Sequence, residues 1–177
     1  MHKRLHELTD YIAGVRAELT EWVLATALEA LTRAPGEGKW SAIQTIQHLG
    51  KVEGSVTKKL EGMFAQALAE GLPTDADDSS VLGALDKYRV TDRSGRRADA
   101  PPPFHPEAAP VFDVNWTSLL AVRQRTLDAY GTVDGRDLTR LAFPHPLFGP
   151  LNAYEWLLLV GQHERRHFDQ MREAAAS

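Results

Sequence analysis

Residues 163 to 168 read HERRHF, and the first five letters satisfy the H-E-x-x-H pattern of zinc-dependent peptidases. That chemistry needs two His at i and i+4 on one helix face, a Glu that polarises water at a divalent ion, and a third ligand further along. The metzincin continuation is absent, because Gln170 stands where that pattern wants Gly and Glu173 where it wants His. Glu164 lies about 100° around a helix from His163, so its role depends on how a substrate sits, and a solvated charge is the preferred reading.

The chain has seven His, and the other pair at spacing four is His2/His6. These two share a terminal turn with Lys3, Arg4 and Glu7, which reads as a solvated, non-functional pair. His163 and His167 instead fall in series with Trp156, Val160 and Met171, so both imidazoles are expected to point inward. Two core histidines satisfied by hydrogen bonds would give the same pattern as two metal ligands. His48 adds a third, near Thr45, Val52 and Val56 at the edge of another apolar stripe. Three inward His from two helices can supply three nitrogen ligands and leave a position free for water.

The elements that must position these side chains are helical. Leu8, Ile12, Val15, Leu19, Trp22, Val23 and Leu28 recur at three and four, which predicts a helix over 5–32. Ser41 with Gln44 resembles a capping box and opens a second helix over 41–70. Residues 71–111 are polar and Pro-rich, with one short helical turn expected around SVLGALDKY. A third helix is expected over 113–131. A fourth is expected over 153–173, with Asn152 as cap and Glu155 at N3. No strand run or internal repeat stands out. The expectation is an all-α four-helix bundle, one domain over 1–177, with a long crossover between helices 2 and 3.

Composition removes several function classes. There is no Cys, hence no disulfide, zinc-thiolate site or cysteine nucleophile. A net charge of -4 argues against nucleic-acid binding, which is driven by Lys/Arg counterion release. No apolar leader and no window of membrane-span length is present, so a soluble cytoplasmic protein is expected.

Two blocks carry a resemblance. KWSAIQTIQHLGKVE opens helix 2 with Trp40 and Ser41, and HPLFGPLNAYEWLLLVGQHERRHFDQM runs through helix 4. In order and spacing they resemble the DinB/YfiT-like metal-binding four-helix proteins, of the DinB-like 2 branch. The resemblance implies up-down-down-up helix order and a divalent metal, nickel or zinc most often, held by His48, His163 and His167. Relatives include thiol S-transferases that use bacillithiol, mycothiol-dependent isomerases and many members with no known activity, so the fold names no substrate.

Two functions therefore stand side by side. One is a metal-dependent hydrolase or thiol S-transferase acting on a small substrate, with a low-molecular-weight thiol as candidate partner. The other is a non-catalytic metal-containing protein with a binding or stress-related role. No base or oxyanion donor is identifiable, so the catalytic residues are left unassigned. A homodimer is expected from the resemblance and the commonness of two-fold pairing. His145 in the loop before helix 4 reads as a turn-capping residue, with substrate contact as the alternative, and His105 is unassigned. Arg93, Arg96 and Arg97 read as a solvated basic loop, with an anion-binding lid as the sharper reading.

Overall fold

Two of the helices begin with the same reciprocal device. Ser41 Oγ accepts from the Gln44 amide at 3.3 Å while Gln44 Oε1 accepts from the Ser41 amide at 2.9 Å. Asn152 Oδ1 and Glu155 Oε2 repeat the exchange at 3.1 and 2.8 Å. Each box satisfies two amide donors that a helix start leaves without partners, so both starts are set locally. In the computed structural model, which describes residues 1–94 and 99–177, these boxes open α3 (Ala42–Ala69) and α5 (Ala153–Ala175). The other helices are α1 (Lys3–Ala25), α2 (Leu28–Thr32) and α4 (Phe112–Gly131). None of the described helices is long and apolar enough to cross a membrane.

Two local expectations change. The helix predicted over 5–32 breaks at Thr26 and Ala27, whose ψ values of 132° and 141° are extended. Thr26 Oγ1 donates to the Trp22 carbonyl at 2.6 Å, a side-chain bond at the end of the helical ladder. The break turns Leu31 of α2 into the core beside Leu19 and Val23. Strands also appear where none was expected: β1 (Ala142–His145) pairs antiparallel with β2 (Gly149–Asn152). Four-residue strands are too short for alternation to show, and Pro144 and Pro150 are tolerated because a two-stranded ribbon is all edge. The short helical turn expected in SVLGALDKY is present, as the 3-10 turn Asp86–Tyr88.

The bundle runs up-down-down-up. Tyr11 and Ile12 meet Gly161, Arg16 meets Glu164 and Trp22 meets Phe168, so α1 and α5 are parallel. Glu53 meets Arg123, Thr57 meets Thr126 and Phe64 meets Tyr130, so α3 and α4 are parallel too. Parallel neighbours need the long crossover that residues 71–111 provide. A Cβ on Gly161 would lie 2.7 Å from Ile12 Cγ2 and 2.8 Å from Tyr11 Cε1, so glycine sets the closeness of α1 and α5.

The core is layered. One apolar cluster gathers Leu8, Ile12, Leu60, Phe64, Tyr130 and Leu157, and the other gathers Leu19, Ile46, Leu49, Leu119, Phe168 and Met171. Along every long helix one buried ion falls between the two: Arg16, Glu53, Arg123 and Glu164. Arg123 pairs with Glu53 at 2.8 Å and with Glu164 at 2.8 Å, while Arg16 pairs with Glu164 at 2.6 Å. Thr126 Oγ1 completes the layer by donating to Glu53 at 2.9 Å.

Candidate metal centre

α3 and α5 bring three imidazoles together across one flank of this layered core. The ring centroids of His48 lie 5.3 Å from His163 and 4.9 Å from His167, and those of His163 and His167 are 4.4 Å apart. One ring nitrogen from each falls within 4.8 Å of the others, a group that can hold a metal ion. His163 Nε2 and His167 Nε2 are 3.1 Å apart. Two nitrogens on one ion with bonds of about 2.0–2.1 Å stand roughly 3 Å apart, so this spacing suits a shared cation.

Hydrogen bonds choose which nitrogens face inward. His48 Nδ1 lies 2.9 Å from the Phe104 carbonyl oxygen. A carbonyl only accepts, so His48 carries its proton on Nδ1 and presents the lone pair of Nε2. His167 Nδ1 contacts Gln170 Oε1 at 2.9 Å, which leaves its Nε2 in the same role. Such outer partners are the usual way a protein sets tautomer and ring orientation at a metal.

Charge states agree with that role. Burial holds all three imidazoles below the usual histidine range. The Phe104 carbonyl partly offsets the fall at His48, and neighbouring His167 and His48 deepen it at His163. His167 is pushed down to about 3, first by burial and then by His48. Neutral imidazoles are the form that ligates.

Around this centre the remaining candidates separate. Trp40 tilts against His48 at 5.0 Å between centroids. His145 accepts at Nδ1 from the Leu147 amide, 3.1 Å away, and stacks on Phe148 at 4.4 Å, which is the turn-capping role. His105 Nε2 donates to the Ala100 carbonyl at 2.7 Å. His6 is exposed beside Asp10, whereas His2 is only 13% exposed and lies 3.5 Å from Asp78, so that pair is not uniformly solvated. Arg93 is not a solvated loop charge either: it pairs with Glu173 at 2.5 Å and donates to the Arg166 carbonyl at 3.3 Å. Arg96 and Arg97 lie outside the described residues.

Glu164 is the main correction. It is 1% exposed and bound by Arg16 and Arg123, so it is a core ion and neither a solvated charge nor a group free to act as a base. Burial alone would depress the Arg123 guanidinium, but Glu53 and Glu164 together raise it. Spacing overlooked the two arginines, yet a signal was present. Arg16 falls between Ile12 and Leu19, and Arg123 between Leu119 and Thr126, each on a stripe that turns inward. Phe104 left no comparable mark, since it acts through a backbone carbonyl 56 positions from His48, whereas Gln170 lies one helical turn beyond His167 and its spacing of three was the signal available.

Comparison with known proteins gives the family and the fold. YuaE of Bacillus subtilis (strain 168), an uncharacterized protein, is 28% identical over 148 residues, covering 82% of this chain and 83% of YuaE. The crystal structure of TT2238, a four-helix bundle protein, matches with a TM-score of 0.64 at 18% identity, over 96% of this chain and 98% of that one, a likeness of fold. A family model described as the DinB superfamily matches residues 11–171, a span that runs from α1 into α5 and takes in all three histidines. The chain belongs to the DinB superfamily.

Proposed function

We propose that this chain is a divalent-metal protein whose centre, held by His48, His163 and His167, acts on a small substrate by hydrolysis or thiol S-transfer. The observation that carries the reading is the convergence of three neutral imidazoles within 4.8 Å, with no carboxylate in the group among the described residues. A structural zinc is normally closed by four protein ligands, whereas three leave room for a reactant. Nickel or zinc suits an all-imidazole donor set. When bound, such an ion supplies Lewis acidity and lowers the pKa of a water or thiol that reaches it.

The chain's own residues supply the rest. The Phe104 carbonyl and the Gln170 side chain hold the rings of His48 and His167, and the Trp40 ring packs against that of His48. The partner is a small molecule, with a low-molecular-weight thiol as the candidate. Duplex DNA is not a partner, given the net charge of -4, and the chain forms a homodimer.

Metal analysis of protein purified without an affinity tag tests the centre. One equivalent of nickel or zinc that is lost on His48→Ala is the expected result. Titration of the cobalt-loaded protein with a small thiol then separates the two functions. A ligand-field change marks an open, reactive position, and an unchanged spectrum marks the non-catalytic alternative.

A further inference from the structure

Residues 100–108 cross the N-terminal half of α3 as a strap, tied by hydrogen bonds between α3 side chains and strap backbone and by the Trp40 ring edge-on to that of His105. Gln47 Oε1 accepts from the Glu107 amide at 2.7 Å. Gln44 Nε2 donates to the carbonyls of Glu107 and Ala108 at 3.1 and 3.2 Å, and Lys51 Nζ donates to that of His105 at 2.8 Å. The strap is stiffened by the 3-10 turn Pro102–Phe104 and by the His105 bond back to Ala100. Among the described residues its bond into the metal centre is the Phe104 carbonyl on His48 Nδ1.

We infer that Gln47 is a positioning residue for the metal centre, acting through the strap: by fixing Glu107 it holds the Phe104 carbonyl on His48, and metal binding in turn locks the strap down. This rests on the reading of the three histidines as ligands. With the strap docked, the proton of His48 stays on Nδ1 and Nε2 is committed to the centre. With the strap lifted, the ring is free to rotate or to move its proton to Nε2, and either event removes a ligand. Gln47 is itself buried, and its bond to the Glu107 amide is the shortest of the ties to the strap. The two effects are one coupling. If docking strengthens metal binding by a given factor, metal must favour docking by that same factor.

The experiment measures both sides with zinc as the probe. Gln47→Leu removes the acceptor at similar size, whereas Gln47→Glu keeps an oxygen for the Glu107 amide. Chelator competition is expected to give about tenfold weaker zinc binding for Gln47→Leu, the low end of what loss of an outer partner costs, and near wild-type binding for Gln47→Glu. Hydrogen exchange at the Glu107 amide of the wild-type protein should slow on zinc saturation by at least the same factor, while amides in the middle of α4 stay unchanged. The hydrogen-exchange measurement uses the wild-type protein, so it keeps the test alive if Gln47→Leu fails to fold. Wild-type zinc affinity in Gln47→Leu, or Glu107 exchange indifferent to bound zinc, overturns the inference while leaving the metal centre intact. Wild-type protein that binds no zinc overturns both.

Discussion

Arg16 and Glu164 form a two-bond pair deep in the bundle, Nε to Oε1 at 2.9 Å and Nη2 to Oε2 at 2.6 Å, joining α1 to α5 one residue beyond His163. In a zinc peptidase the Glu of H-E-x-x-H works beside the ion. Here the same letter, turned 100° around the helix, pairs with two buried guanidiniums instead, sharing their neutralisation with Glu53. The motif is thus divided between two tasks, with its histidines at the candidate centre and its glutamate in the core.

Glu164→Gln is therefore expected to act on stability rather than on ligation. Breaking a buried pair leaves an uncompensated charge and costs about 3–5 kcal/mol. Urea unfolding should show a loss of that order, while the folded fraction keeps zinc affinity within a few-fold of wild type. An unchanged unfolding midpoint would contradict the assignment.

The three histidines should behave in the opposite way. His48→Ala, His163→Ala and His167→Ala each remove a proposed ligand, and direct loss should exceed the 10–100-fold typical of losing an outer partner. Chelator competition reads the affinity and circular dichroism reads the helices, which should persist.

Gly161→Ala tests the close approach of α1 and α5. A methyl group placed 2.7 Å from Ile12 Cγ2 forces a shift in a packed interface, at about 1–3 kcal/mol. Elsewhere in a helix the same change is expected to stabilise, so a lower melting temperature here reports the contact itself.

Acid should unfold the metal-free protein through its imidazoles. His167 titrates at about 3 when folded and near 6.5 when unfolded, and His163 and His48 are also lowered. Between those limits the unfolded chain binds more protons, so stability falls as pH drops from about 6.5 towards about 3. Above 6.5 these groups contribute no slope. Denaturation of His167→Gln over the same range should show a shallower dependence.

The long helices were legible because their information is local. Apolar spacing marks the inward stripe, and the Ser41/Gln44 and Asn152/Glu155 boxes mark two helix starts within four residues each. His163 and His167 were equally readable as an inward pair, because a spacing of four puts both rings on one face whatever the rest of the chain does. His48 joined them through its place at the edge of a stripe and through the resemblance.

Tertiary structure decided what depends on pairs distant in the chain. Whether Glu164 meets water or Arg16 turns on which helix covers its face, and that partner lies 148 positions away. Which nitrogen His48 offers is set by the carbonyl of Phe104, 56 positions on, and no side-chain letter encodes a carbonyl. The break at Thr26 and the four-residue strands likewise fall below the length at which periodicity carries a signal. Helices and inward faces follow from spacing along one chain segment, whereas tautomers, charge partners and a shared centre require packing to bring separate segments within a few ångströms.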